Sequence, residues 1–314
     1  MKIGFLYSGQ GSQFVGMGKD LYAKYPMIKD IYTRASDVLG FNVAKVSFHG
    51  TDRELRETKN AQVVILVHSL AIHSILTEKE ITPFISAGHS LGEYSAIIAA
   101  KGLSFEDGLR LVRLRGELMS EAGNSYPGRM AAIIGLSLSV VTEICKEISS
   151  SGTIVIANIN TPSQIILSGE IGIINKAIKI AGKAGAKKTV LLPVSGAFHS
   201  PLMKEADAKF GENIEKVSLN DIETPIIGNV LAQEITKKED IRKELELQMS
   251  FPVRWLDSMN KMFEMGVKRF IEVGPGKVLK GLLLNIDRGV EVLSTSDITG
   301  LSRTLEVFEK WKEQ

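Results

Sequence analysis

Cysteine is nearly missing from this chain: Cys145 stands alone among 314 residues, which rules out an internal disulfide and a thiolate metal cluster. It falls in an apolar-periodic stretch, where a buried and inert thiol is the expectation. Net charge is nearly missing as well. The 38 Lys and Arg residues against 36 Asp and Glu leave a formal +2, too little for a basic field that would hold nucleic acid. The opening residues, Met1 to Tyr7, lack the long apolar region and cleavage site of a signal peptide, and no apolar run approaches the length of a membrane span. The expectation is a cytoplasmic protein that engages neither nucleic acid nor membrane. The length suffices for one large or two modest domains with a full core.

The first half alternates strand-like and helix-like segments: a strand at Ile3 to Tyr7, helices near Leu21 to Leu39 and Ala61 to Thr77, a strand at Pro83 to Ala87, then two more helices. That rhythm predicts a mainly parallel sheet with helices on its faces. From Gly128 it changes to strand Met130 to Ile134, helix Val140 to Ile148, strands Thr153 to Asn158 and Gln164 to Ser168, helix Ile173 to Ala184 and strand Lys188 to Pro193. This β-α-β-β-α-β order is ferredoxin-like. Breaker-rich flanks, and alternation that resumes with Ile226-Ile227 and Phe270 to Val273, mark it as an insertion. The expected fold is α/β: a hydrolase-like domain over 1–125 and 196–314, and an inserted ferredoxin-like α+β subdomain over 126–195.

The stretch Gly88-His89-Ser90-Leu91-Gly92 follows the short strand and precedes a helix. In G-x-S-x-G the turn is so tight that both glycines are needed, and the serine hydroxyl is presented at the end of the sheet. A glycine-rich turn with a helix-capping serine has the same local signature. A nucleophilic serine also requires a base, and the chain has five histidines. His68 and His73 lie within a helix, His49 is near a turn, and His89 adjoins the serine in a turn that points it away. His199 differs, since the loop Gly196 to Pro201 follows the insertion directly and is placed to hang over the cleft between the two units.

Acyl chemistry passes through an oxyanion, whose expected first donor is the Leu91 N–H. A second donor would come from Gln10, by backbone or side chain, in the glycine loop Ser8 to Gln13. A nucleotide loop fits that segment poorly, because Phe14 stands where the dinucleotide fingerprint needs a small residue and no Lys-Ser/Thr follows the last glycine. Ser104 and Asp107 form a capping pair that starts a helix running to Met119 or beyond. Arg115 lies in the middle of its apolar arc with Leu111, Val112, Leu118 and Met119. A guanidinium there needs an anion, either an internal carboxylate or a substrate carboxylate, unless it snorkels at the rim.

Read together, these motifs resemble the malonyl-CoA:acyl-carrier-protein transacylase family of fatty-acid synthesis. The likeness runs through GQGSQ at 9–13, GHSLGEYSA at 88–96, Arg115 in LVRLRGELM, AN at 157–158, GAFHSPLM at 196–203, GNV at 228–230, QMSFPVRW at 248–255 and EVGPGKVL at 272–279. It implies Ser90 as nucleophile, His199 as general base, Gln10 and Leu91 as oxyanion-hole residues, and Arg115 as binder of the malonyl carboxylate. It further implies Gln248 as the residue whose main-chain carbonyl orients the histidine, and Phe198 as a pocket residue that accompanies malonyl selection. The implied reaction is ping-pong transfer from malonyl-CoA to the phosphopantetheine thiol of acyl carrier protein. It needs no metal or cofactor, and the expected state is a monomer. Many members carry proline where this chain has Ser8, a change that is expected to loosen the loop carrying Gln10.

Overall fold

The computed structural model describes residues 1–313. Ten strands occur among them: β1 (Ile3–Tyr7), β2 (Ile85–Gly88), β3 (Gly128–Ile134), β4 (Ile154–Thr161), β5 (Gln164–Glu170), β6 (Lys188–Leu191), β7 (Ile226–Ile227), β8 (Glu234–Ile235), β9 (Arg269–Val273) and β10 (Glu291–Ser294). Six form one sheet of order β10-β9-β1-β2-β7-β8, parallel throughout except for the β7–β8 pair. Parallel neighbours need long crossovers, here made largely by helices, and the central strands are buried rather than alternating between core and solvent. Every residue of β1 and β2 is buried. β1 sits between β9 and β2, and its carboxyl end is where connections leave in opposite directions, the place at which open α/β sheets hold ligands.

The other four strands form an antiparallel sheet of order β4-β5-β3-β6, crossed by the helices Leu138–Ile148 and Ile171–Lys183. The ferredoxin-like order expected from periodicity is present, and this unit has a core of its own built on residues such as Ile133, Ile144, Ile165 and Ile174. It is stitched to the larger unit by Val253, whose N–H donates to Ala157 O at 2.8 Å and whose carbonyl accepts from Ile159 N–H at 3.0 Å.

Two expectations are corrected. The helix anticipated over Leu21 to Leu39 is two helices, Lys19–Lys24 and Pro26–Leu39, because Pro26 forces Tyr25 into an extended conformation (φ −114°, ψ 113°). The run Thr58–Glu78 does have the length and apolar character of a membrane span, which His68, Ser69, His73 and Ser74 disguise in the sequence. Most of its length is buried within the protein, and it is apolar on all sides because it lies between other helices of the core.

Candidate active site

Two close backbone contacts fix the turn after β2. A Cβ on Gly88 would lie 2.0 Å from the backbone carbonyl of Gly92, and one on Gly92 would lie 2.0 Å from Tyr7 O at the end of β1. Neither position tolerates a side chain, so strand, turn and the helix Leu91–Ala99 close on one another. Ser90 absorbs the sharp reversal with φ 50° and ψ −103°, a conformation that costs a non-glycine residue about 1–3 kcal/mol. Its side chain does not cap the helix that follows, so the capping alternative does not describe this serine.

Ser90 Oγ instead lies 2.9 Å from His199 Nε2. His199 also has positive φ (56°), and its backbone N–H donates to Met249 O at 2.9 Å. Its Nδ1 donates to Gln248 O at 2.8 Å and faces Phe251 O at 3.2 Å, which leaves the unprotonated Nε2 lone pair toward the serine. Burial and the nearby Arg115 guanidinium push the pKa of His199 down to about 3, so the ring is neutral and ready to accept a proton.

Arg115 projects from the helix Phe105–Ser125 into the same point. Nη2 donates to Ser90 Oγ at 3.1 Å and to Gln248 Oε1 at 2.9 Å, while Nη1 donates to Gln62 Oε1 at 2.8 Å. Its partners are therefore neutral oxygens, and the internal carboxylate pair and the rim position are not found. Glu93 and Asp207 act on it through space, its face lies over the Tyr94 ring at 5.4 Å, and Nε has no partner. A buried cation held by neutral acceptors keeps its charge unneutralised for an incoming anion.

Gln10 and Ser90 line one cleft of about 590 Å³, together with His89, Met119, Phe198 and His199. The Gln10 side chain is tethered loosely to the Thr58–Glu78 helix, with Nε2 3.4 Å from Thr58 Oγ1 and Oε1 accepting from Gln62 Nε2 at 3.4 Å. Around the turn, Ser90 N–H donates to Asn229 Oδ1, Gly92 N–H to His89 O and Glu93 N–H to Ser90 O. The N–H groups of Leu91 and Gln10 have no acceptor among the described residues. Phe198 is buried beside the histidine, with its ring against Gly196. Ser8, where many members carry proline, is fully buried, its N–H donates to Val273 O at 3.2 Å and its hydroxyl to Pro275 O at 3.1 Å.

The other histidines lie elsewhere or point away. His68 Nε2 meets Ser296 O, His73 Nδ1 meets the Tyr7 hydroxyl, His49 is exposed, and His89 turns from the serine to Asn160 Oδ1 at 2.9 Å. Three polar residues that sequence reasoning gave no role stand in the network: Gln62, Asn229 and Glu93. Gln62 had one available signal, an amide directly before the apolar run Val63 to Val67.

With a strained serine, a buried neutral histidine and an unneutralised arginine converging on one oxygen, residues 4–303 match the family described as acyl transferase domain. The chain belongs to the acyl transferase domain family. A malonyl CoA-acyl carrier protein transacylase of Bacillus subtilis (strain 168) is 43% identical over 310 residues, covering 98% of each chain. One of the same name from Staphylococcus aureus (strain MRSA252) is 41% identical over 313 residues and 99% of each. Among solved structures, the Streptococcus pneumoniae enzyme MCAT superposes with a TM-score of 0.93 at 40% identity, covering 97% of this chain and 99% of that one. A malonyl-transacylase solved in complex with a type II polyketide acyl-carrier protein superposes at 0.95 with 35% identity, covering 98% and 99%.

Proposed function

We propose that this protein transfers the malonyl group of malonyl-CoA to the phosphopantetheine thiol of an acyl carrier protein, through a malonyl ester on Ser90. The observation that carries the reading is the shared contact of Ser90 Oγ with His199 Nε2 at 2.9 Å and Arg115 Nη2 at 3.1 Å. A base activates the oxygen, and a cation waits beside it for a substrate that bears its own carboxylate.

In the first half-reaction Ser90 Oγ bonds to the thioester carbon while its proton passes to His199 Nε2. The oxyanion is met by the unoccupied N–H groups of Leu91 and Gln10. The carbon–sulfur bond then breaks and His199 returns the proton to the departing CoA sulfur. In the second, the carrier thiol gives its proton to His199 and attacks the ester carbon, and Ser90 leaves with that proton. Gln248 O holds the histidine tautomer without adding charge, the role an acid plays in a Ser-His-Asp triad. Arg115 Nε has no partner, and once Ser90 Oγ is acylated Nη2 releases its bond to that oxygen, so the two together offer a carboxylate two parallel hydrogen bonds, and Phe198 closes the pocket wall.

We assign the catalytic unit to 1–125 and 196–314 and the insertion to 126–195, with the cleft between them. The steps use one chain and two thiol carriers, and their setting is the cytoplasm, where CoA thioesters of fatty-acid synthesis are at hand. Incubation with labelled malonyl-CoA followed by peptide mass spectrometry should place the label on Ser90, and added carrier protein should remove it faster than water does. Release chiefly as free malonate would make the protein a hydrolase. Ser90→Ala should abolish the adduct, and an unchanged yield in that variant would overturn the assignment.

A further inference from the structure

One carboxyl lies directly behind the reacting groups and takes no part in the steps above. Glu93 stands on the helix Leu91–Ala99, three residues after Ser90, and is fully buried. Its Oε1 accepts from Asn229 N–H at 2.9 Å, and its Oε2 accepts from Gln248 Nε2. Both donors belong to residues that hold the site. Asn229 takes the Ser90 N–H on Oδ1 at 2.7 Å and gives Nδ2 to Gly88 O at 2.7 Å, so it clasps the turn from both sides. Gln248 gives Nε2 to Ser90 O at 3.0 Å, takes Arg115 Nη2 on Oε1 at 2.9 Å, and supplies the carbonyl that faces His199 Nδ1.

An amide group has a donor end and an acceptor end of nearly the same shape, and only its partners decide which way it lies. Turned over, the Gln248 NH₂ would face the Arg115 guanidinium, donor against donor, and its oxygen would face Ser90 O. Two acceptors exclude that arrangement, Ser90 O and Glu93 Oε2, and Glu93 is the one carried on a side chain. We propose that Glu93 is a positioning residue for the acyl transfer: as acceptor for Gln248 Nε2 and Asn229 N–H, it fixes which end of the Gln248 amide faces Arg115 and where Asn229 meets the Ser90 turn.

A lone carboxylate in this position would be expensive to bury. Glu93 has a second carboxyl beside it, Glu244, also fully buried and held by Val230 N–H at 2.5 Å and Leu231 N–H at 3.3 Å. Burial first, and then the mutual repulsion of the two groups, pushes Glu93 well above the usual carboxylate range, against the pull of Arg115, and burial raises Glu244 with it. Raising both groups favours their protonated forms, which lowers the cost of burying two carboxyls side by side. The carboxyl pair thereby keeps the acceptors on Glu93 while the direct partners of Arg115 stay neutral oxygens.

The inference rests on the proposed roles of Ser90, His199 and Arg115, so wild-type protein is tested first for the malonyl–Ser90 adduct. Its absence would remove that reading and this one together. Given the adduct, the readout is the ratio of malonyl to acetyl kcat/KM in Glu93→Gln, which keeps the shape but replaces one of the two acceptor oxygens by a donor. Its melting temperature is followed in parallel. The ratio should fall about tenfold or more, because the arginine that reads the malonyl carboxylate loses its fixed partner. In a Gln248→Met background the same change should add little further, since Glu93 acts through that amide. Should Glu93→Gln not fold, Glu93→Asp carries the question: it keeps the carboxyl but withdraws its oxygens by one methylene, and the ratio should fall by less. An unchanged ratio in a folded variant, equal losses for both acyl groups, or full additivity with Gln248→Met would each overturn the proposal.

Discussion

Arg115 Nη2 lies 3.1 Å from Ser90 Oγ, the same oxygen that His199 Nε2 meets at 2.9 Å. The guanidinium that would read the substrate's free carboxylate is thus in contact with the atom that attacks its other end. Selection and chemistry are separated by a single hydrogen bond, which makes the arginine a sharp test of the malonyl assignment.

Arg115→Ala leaves the malonyl carboxylate without its partner in a buried site, a loss of about 2–5 kcal/mol. Malonyl transfer should fall steeply. An acetyl group carries no such charge, so its transfer should be spared or improved, and the malonyl-to-acetyl ratio of kcat/KM should drop by roughly 10²-fold or more. Arg115→Lys should restore part of the preference, because one ammonium does not reproduce two parallel hydrogen bonds. Steady-state kinetics with both thioesters decide it. Equal losses with a lower melting temperature would assign Arg115 to the core.

Much of this site was legible because its chemistry needs residue types that are scarce or out of place. Ser90 stood between glycines at a strand end, His199 was one of five histidines, and Arg115 broke an apolar arc. The amides were not legible. Gln62, Asn229 and Gln248 bond through side chains whose partners come from segments 50 to 160 residues away, as with the 53-residue separation of Arg115 and Gln62, and no local pattern carries such pairing. The same limit shaped the fold. Four of the five parallel strands follow from short apolar runs, whereas β10, the Pro26 break and the amphipathic helices Lys238–Leu247 and Trp255–Glu264 do not stand out in the sequence. The span-like helix Thr58–Glu78 was readable as a helix, but not as the buried centre of the larger core, which depends on what surrounds it.

The elbow glycine predicts a large stability effect with a built-in control. In Gly92→Ala the new methyl would sit 2.0 Å from Tyr7 O, a backbone atom of a fully buried central strand that has no room to retreat. Overpacking of this kind costs on the order of 3 kcal/mol or more. Gly211→Ala changes a position with nothing within 4 Å, inside the helix Lys204–Ile214, where alanine is preferred by about 0.5–1 kcal/mol. Urea denaturation should therefore move in opposite directions for the two variants. A neutral Gly92→Ala would mean that the turn opens freely.

Asn229 predicts a loss of activity that outruns the loss of stability. Asn229→Ala removes the acceptor of Ser90 N–H and the donor to Gly88 O, so the turn loses its clasp while the apolar core is untouched. Leaving a buried partner unsatisfied costs about 1–3 kcal/mol in stability. A displacement of the nucleophile by about 1 Å costs about 10²-fold in rate. The single-turnover rate of Ser90 malonylation should fall by that order in protein that still melts cooperatively. A rate that tracks the melting temperature alone would remove Asn229 from the site.

The last prediction concerns pH, with His199 as the group that decides it. An ordinary histidine loses its basic form near 6.5, whereas burial and Arg115 hold His199 down to about 3. The form that accepts the serine proton therefore persists as the solution is acidified. The rate of Ser90 malonylation in single turnovers should stay flat from pH 7.5 down past 6, with its acid limb well below the usual histidine value. Stability is a poorer readout, because two sets of groups oppose each other. Unfolded histidines bind protons below 6.5 that native His199, His68 and His73 refuse, which withdraws stability as pH falls. Half-buried Asp207, raised to about 6, and buried Glu272, raised to about 7, keep protons that their unfolded forms release, which withdraws stability as pH rises over the same window. The chemical step isolates His199, the base in contact with the nucleophile. His199→Ala should lower it by about 10²- to 10⁴-fold at every pH in that range. An acid limb centred near 6.5 in the wild type would show that the histidine is solvated when it works, and that the burial of its ring is relieved before the proton moves.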